Sequence, residues 1–207
     1  GELDEAPMLY IGEKVGTTNG PEIDIAVDPL EGTNFAANNL PGALSVIAIA
    51  EKNNLFHAPE TYMEKISAKI NEKGVVDLDY STKENIFNLC EYLNKKPESI
   101  TACIMDRPRH KKIITELSKI GAKIKLISDG DISGALLVTD EKYDVDIFLG
   151  IGGSPEGVLA ASALNSFNCI FQGRFLFDTE VDKLRASKMG IKNLTKKYEL
   201  NEIVKGD

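Results

Sequence analysis

Ile23-Asp24-Ile25-Ala26-Val27, followed by Asp28-Pro29-Leu30-Glu31-Gly32-Thr33, reads as a short alternating strand that stops at a turn carrying two carboxylates and a hydroxyl. Proline cannot donate to a ladder and restricts the residue before it, so the strand is expected to end at Asp28-Pro29. The same arrangement recurs downstream. Residues 101–105 run into Asp106-Arg107-Pro108-Arg109-His110, residues 123–127 into Ser128-Asp129-Gly130-Asp131, and residues 145–149 into Gly150-Ile151-Gly152-Gly153-Ser154-Pro155-Glu156-Gly157. Helical spacing follows each: from about Pro108 to Ile120 with Gly121 as the stop, from near Asp131, and from Ser154 to Leu164. This β-α-β order predicts an α/β fold with a mainly parallel sheet covered by helices. Ligands of open α/β sheets bind beyond the carboxyl ends of the strands, so these polar strand ends point to one shared site.

The rest of the chain fills in around that frame. Residues 43–50 read as a second strand, and residues 61–70 are ambiguous. Residues 71–79 suggest a turn at Lys73-Gly74 and then an edge strand over Val75-Val76-Asp77-Leu78. A domain boundary near Asp79 would divide the chain into residues 1–79 and 80–207. Beyond it Ser81, with Glu84 three residues on, forms a capping-box pattern for a helix that lines up Ile86, Leu89, Cys90 and Leu93. Residues 167–177 read as a long strand or a strand pair, and residues 182–189 as a short helix.

Composition narrows the function. The 207 residues carry 24 Lys plus Arg against 32 Asp plus Glu, a net charge of -8, which argues against a general nucleic-acid binder. The longest apolar run, around residues 43–50, is too short to cross a bilayer, and no basic segment followed by a signal-type apolar run opens the sequence. Cys90, Cys103 and Cys169 are odd in number and widely spaced, so neither a disulfide framework nor a CxxC metal pair is read. A reducing, cytoplasmic setting is expected. His57 and His110 have no ligand partner at metal spacing, which disfavours zinc; oxygen-only ligation favours Mg²⁺ or Mn²⁺.

Each polar strand end admits a plain and a chemical reading. Asp28 and Glu31 lie three residues apart around a proline-directed turn, suited to gripping a hard cation; equally, they sit in a strand-ending turn with Thr33 as a cap. Arg107 and Arg109 flank Pro108, and a guanidinium fork matches phosphate oxygens, although two solvated arginines would look the same. Gly152-Gly153 would let backbone amides approach an anion at the next helix N-terminus. Glu156 could be a routine helix-dipole carboxylate, Asp131 a cap with Asp129 free to accept a sugar hydroxyl, and Tyr62 a core aromatic.

The hexapeptide Asp28-Pro29-Leu30-Glu31-Gly32-Thr33 resembles the Asp-Pro-x-Asp-Gly-Thr metal motif of the inositol monophosphatase and fructose-bisphosphatase superfamily, with Glu31 in place of the second Asp. Taken in order, the residues 4–10, 24–33, 57–63, 106–110, 128–131 and 150–157 resemble class II fructose-1,6-bisphosphatase, the GlpX type. That resemblance implies a layered α-β-α-β-α sugar-phosphatase fold, with a mixed sheet followed by a mainly parallel sheet of β-α-β units. Residues 1–79 would be the metal-binding phosphatase part and residues 80–207 the sugar-phosphate-binding part. It implies metal carboxylates at Asp28, Glu31 and Glu156, and a Thr33 hydroxyl that positions and helps deprotonate the attacking water. Substrate contacts would come from Glu31, Gly32, Thr33, Tyr62, Arg107, Pro108, Arg109, Asp129, Gly130, Asp131 and Gly153. The reaction implied is release of the 1-phosphate of fructose 1,6-bisphosphate with Mn²⁺ or Mg²⁺ in gluconeogenesis, by a cytoplasmic homo-oligomer, dimer or tetramer. Alternatives are a sedoheptulose-1,7-bisphosphatase, an inositol phosphatase, or a non-catalytic sugar-phosphate binding module. A protein of net charge -8 would repel a bisphosphate unless cations bridged its carboxylates to the phosphate oxygens.

The resemblance also implies a chain that continues at both ends. The family has an upstream segment with Gly-Arg-Gly-Asp-Lys-Asn and a Gly-Glu-Gly-Glu turn, of which Gly1-Glu2 matches only the last part. Carboxylates completing a second metal position are therefore expected upstream. Glu2 and Asp4 are expected to position water or support the metal site, turnover by residues 1–207 alone is expected to be poor, and apolar surface is expected to be exposed.

Overall fold

The computed structural model describes residues 12–17 and 19–206. The elements in order are β1 (Ile23–Glu31), α1 (Thr33–Ala37), β2 (Leu44–Glu51), β3 (Tyr62–Ala68), α2 (Thr82–Leu93), β4 (Thr101–Met105), α3 (Lys111–Ile120), β5 (Lys123–Ile127) and α4 (Asp131–Leu136). β6 (Ile147–Gly153), α5 (Ser154–Ser166), β7 (Ile170–Leu176), α6 (Glu180–Lys188), β8 (Lys197–Glu199) and α7 (Leu200–Ile203) complete them.

The α/β class holds, in two sheets. β1 and β2 form an antiparallel pair, and the larger sheet has the order β5-β4-β6-β3-β7-β8. Parallel pairing is confined to β5-β4 and β4-β6. β3 runs antiparallel to both β6 and β7, and β8 antiparallel to β7, so the sheet is mixed rather than mainly parallel. β3, the ambiguous stretch of sequence, is thus a central strand. Its placement carries the large sheet across the boundary expected near Asp79.

Two layers of apolar side chains lie on either face of this sheet. Met63, Cys103, Phe148, Phe171 and Phe175 meet α4 and α5 on one face; Ile66, Ala68, Ala102, Ile147 and Leu149 meet α2 and α3 on the other. The small sheet packs Ala26, Val46 and Ala48 against the α5 side, which places α4 and α5 between the two sheets. On its opposite face Ile23, Ile25, Val27, Ile47 and Ile49 are exposed.

Three local expectations are corrected. β1 does not stop at Pro29: it continues to Glu31 through a register shift between Asp28 and Glu31, where the Ser45 hydroxyl donates to Pro29 O at 2.7 Å. A bulge in a two-stranded sheet tolerates the absent N–H. Residues 75–78 form no strand. The Asp77 and Leu78 amides donate instead to the side chains of Asn85 (2.7 Å) and Gln172 (2.9 Å), and side-chain acceptors replace the ladder. β6 runs on to Gly153, because β3 lies alongside and pairs Tyr62 with Gly153 and Met63 with Gly152.

The helix ends follow the sequence. Ser81 accepts from the Glu84 amide and Glu84 accepts from the Ser81 amide, closing a capping box, while Gly121 ends α3 at φ 85. Replacing Ser81→Ala is expected to lower stability by about 1 kcal/mol. The check is a urea melt, in which the midpoint falls at an unchanged slope.

Candidate functional site

The loop after the Asp28–Glu31 bulge and the carboxyl ends of β4, β5 and β6 converge on the N-terminus of α4. Glu31 is buried, 5% exposed, and its carboxylate fills that N-terminus: Oε1 accepts from the Ile132 amide and from the Ser133 amide at 3.0 Å, and Oε2 takes a longer 3.3 Å share of Ser133. Gly32 turns the chain at φ 75, where a Cβ would press within 2.7 Å of the Phe35 ring. Thr33 opens α1 as an exposed residue, and its hydroxyl has no protein partner among the described residues. Asp28, half-buried, accepts from the Leu30 amide at 3.0 Å.

A second tie runs alongside. Asp129 Oδ2 accepts from the Asn34 amide at 2.9 Å, and Asp129 Oδ1 takes an Arg107 N–H at 3.3 Å. Arg107 also donates to Ser128 O at 2.6 Å and Asp106 O at 3.1 Å, so its guanidinium is largely engaged in closing the loop. Arg109 is exposed and spends only Nε, on Ile151 O at 2.8 Å, while its guanidinium lies 4.9 Å from the Tyr62 ring centre. Tyr62 is therefore a surface aromatic at the site mouth rather than a core residue, 44% exposed. Pro108 opens the tight turn that leads to His110.

His110 fastens this rim from below. It is fully buried, with Nδ1 at 2.7 Å from Met105 O and Nε2 at 2.8 Å from the Ile151 amide. The Ile151 amide can only donate, so Nε2 accepts and Nδ1 carries the proton. Burial holds the imidazole pKa below its ordinary value, which keeps the ring neutral.

Space for the carboxylates comes from glycine. A Cβ on Gly152 would lie 2.0 Å from Asp131 Oδ2, and one on Gly153 2.0 Å from Glu156 Oε2. The pair thereby clears the space that these two carboxylates occupy. Both residues belong to β6, and the first amide of α5, that of Ser154, donates to Thr61 O at 2.9 Å. Asp131 Oδ1 and Glu156 Oε2 are buried without a hydrogen-bond partner. Gly130, at φ 89, caps α4, and a Cβ there would collide with the Ser133 hydroxyl.

Burial raises the carboxyl pKa of both Glu31 and Glu156, and the charges of Asp131 and Asp28 add to the rise in each. Lys65 opposes it at Glu156. Asp28, Glu31, Asp131 and Glu156 thus share one electrostatic neighbourhood, although among the described residues no three His, Cys, Asp or Glu stand close enough to hold an ion as they lie. An all-oxygen donor set, surplus negative charge and two orphaned carboxylate oxygens fit a hard divalent cation. Glu2 and Asp4 lie outside the described residues. Lys65, Asn34 and Ser133 were not legible as site residues, since Glu64, Lys65 and Ser67 leave residues 63–68 without an apolar run against which a buried lysine would stand out.

Comparison with known proteins identifies the family. The chain matches the family of bacterial fructose-1,6-bisphosphatase, glpX-encoded, over residues 1–207. A D-fructose 1,6-bisphosphatase class 2/sedoheptulose 1,7-bisphosphatase of Prochlorococcus marinus is 41% identical over 100% of this chain and 66% of its own length. Proteins of the same name from a Synechocystis species and from Synechococcus elongatus are 42% and 41% identical, over 100% of this chain and 67% of each relative. The chain spans about two thirds of the length of these relatives.

The neutral His110 has a pH signature. A histidine whose folded pKa is depressed contributes stability that is complete above the unfolded value, 6.5 here, and is lost as pH falls toward the folded pKa. The melting temperature of the wild type is expected to fall more steeply below pH 6.5 than that of His110→Gln. Parallel profiles in a thermal scan from pH 8 to 5 would contradict a buried neutral ring.

Proposed function

This chain belongs to the glpX-encoded bacterial fructose-1,6-bisphosphatase family, and we propose that it forms the hydrolytic core of a metal-dependent phosphatase that releases the 1-phosphate of fructose 1,6-bisphosphate. What carries the reading is the pair of ties across the site: Glu31 on the α4 amides and Asp129 on the Asn34 amide. Together they fix the phosphatase loop of residues 28–33 against the sugar-side ends of β4 and β5. A bisphosphate needs two anion-binding ends at a set separation, and these ties set it.

At the reacting end, Asp28, Glu31 and Glu156 would hold Mn²⁺ or Mg²⁺, Glu31 through Oε2 and Glu156 through its orphaned Oε2. When bound, the cation polarises the phosphoryl group and acidifies the attacking water. Thr33, its hydroxyl free at the start of α1, orients that water and accepts a hydrogen bond from it. The oxygen of water bonds to phosphorus as the bond from phosphorus to the C1 oxygen breaks; one proton of the water ends on the C1 oxygen of the departing sugar and the other stays with the released phosphate. Gly32 brings the backbone close to the phosphate. At the far end Arg109 offers its two unspent terminal nitrogens to the 6-phosphate, Arg107 and Pro108 shape the rim, and Tyr62 flanks it. Asp129, Gly130, Asp131 and Gly153 line the sugar.

Sedoheptulose 1,7-bisphosphate is the second reading, favoured by the names of the relatives from Prochlorococcus marinus and Synechocystis. Among the described residues no helix is long and apolar enough to cross a membrane. The setting we infer is a cytoplasmic homo-oligomer serving gluconeogenesis, with Glu2 and Asp4 supporting the reacting end.

The test is phosphate release from each bisphosphate with Mn²⁺ or Mg²⁺, by residues 1–207 and by the full encoded protein. The full protein is expected to be active, and Glu156→Gln to lose a hundredfold or more in kcat, on the order of 3 kcal/mol of transition-state stabilisation. Full activity in Glu156→Gln would remove the metal assignment; no release from either sugar would remove the phosphatase reading.

Protons and metal compete for the same carboxylates. Because Glu31 and Glu156 hold protons to higher pH than usual, Mn²⁺ is expected to raise the melting temperature at pH 8, with the gain shrinking as pH falls toward 5. A gain independent of pH would place the ion elsewhere.

A further inference from the structure

Lys65 lies at the centre of β3 with 1% of its side chain exposed, a position that lysine almost never takes without a partner. On β3 it shares a face with Met63 and Ser67, which point toward α4 and α5; the Ser67 hydroxyl bonds Ala135 O of α4 at 3.1 Å. Its stem passes Gly157 so closely that a Cβ there would lie 3.2 Å from Lys65 Cε. The ammonium ends between two elements of the site. It is paired with Asp131 Oδ2 at the start of α4, and donates to Gly153 O, at the end of β6, at 2.6 Å.

A lysine placed only for stability would be expected to leave its partner fully satisfied. Here the partner is not: Asp131 Oδ1 remains buried and unbonded, as does Glu156 Oε2 three residues beyond Gly153. The ammonium has three N–H groups, and two are accounted for by Asp131 and Gly153 among the described residues. A fixed cation that pins one oxygen of a carboxylate and leaves the other bare presents that bare oxygen in a set direction. The glycine backbone of β6 completes the fixture, since Asp131 Oδ2 lies against Gly152 where any side chain would displace it.

We propose that Lys65 is a positioning residue that acts through Asp131, holding its free oxygen toward the sugar while the same ammonium, through the Gly153 carbonyl, sets the start of α5 and Glu156. This rests on the sugar-bisphosphate reading above and deepens it. Lys65 touches no reacting atom. It sets how tightly the sugar end is held and how far that end lies from the carboxylate cluster. A lysine suits this task because its charge is a compact point at the end of a slender stem, and that point reaches both Asp131 and the Gly153 carbonyl.

The test is calorimetric binding of fructose 6-phosphate, the product that occupies the sugar end, to the full encoded protein in the presence of a chelator. Lys65→Met, Asp131→Asn and the double variant are compared with the wild type. Each single variant is expected to bind about tenfold more weakly, and the double variant no more weakly than the worse single, since both changes remove one device. Should Lys65→Met fail to fold because Asp131 is left unpaired, the double variant, which removes that charge, is read against Asp131→Asn alone and is expected to match it. Wild-type affinity in Lys65→Met, even with a lowered melting temperature, overturns the proposal, as do losses that multiply to about a hundredfold in the double variant. A wild type that does not bind fructose 6-phosphate overturns the sugar-phosphate reading itself. A defect in Lys65→Met alone cannot produce that result.

Discussion

A carboxylate buried at a helix N-terminus is the constraint around which this molecule is arranged. Taking the charge of Glu31 out of water is costly unless several donors meet it, and the amides of Ile132 and Ser133 do so at the positive end of α4. Glu31 closes β1 of the small sheet, while α4 packs on the large one, so this single group joins the two sheets by a directional contact rather than by apolar packing alone. The αL turn at Gly32 and the exposed start of α1 follow from it. Thr33 stands where it does because the residue two before it is anchored.

The site also concentrates negative charge more than it neutralises it. Burial, with the charges of Asp131 and Asp28 beside it, raises the proton affinity of Glu31 and Glu156, and Lys65 is the one buried cation among them. Structural ion pairs elsewhere in the chain are balanced differently: Lys197 engages both oxygens of Asp77 and one of Asp79, and Arg174 engages Asp79 and Glu64. That contrast separates a network built for cohesion from one that keeps unspent oxygens. Gly152 and Gly153 serve the second purpose by giving up side-chain volume to Asp131 and Glu156.

Local features were the legible ones. The caps at Ser81 and Gly121, and the strands of residues 101–105 and 123–127, follow from short-range rules that tertiary contacts did not override. The α/β class followed from their order. β3 was illegible because it is buried on both faces yet carries Glu64 and Lys65, so neither alternation nor a continuous apolar run marks it. Its neighbours, β6 and β7, are distant in sequence, and no local signal announces an antiparallel strand set between them. Pro29 misled for a related reason: the rule against proline within a ladder does not apply at a bulge. At the site, motif order marked the loops that converge, but not the backbone amides of Asn34, Ile132 and Ser133 that receive the carboxylates. Nor could it tell that Gly152-Gly153 clears space for Asp131 and Glu156.

The insertion of β3 also bears on the order of assembly. Tyr62 pairs with Gly153 on one side and Leu176 on the other, so the strand that holds the middle of the large sheet emerges from the ribosome long before either neighbour. Closing such long-range pairs is slow, because chain entropy is lost before the contacts repay it. Until β6 arrives, Lys65 stays hydrated and the glycine floor beneath Asp131 and Glu156 does not exist. The cleft therefore cannot form before β6 and the start of α5 are in place, however early β1 and β3 are made.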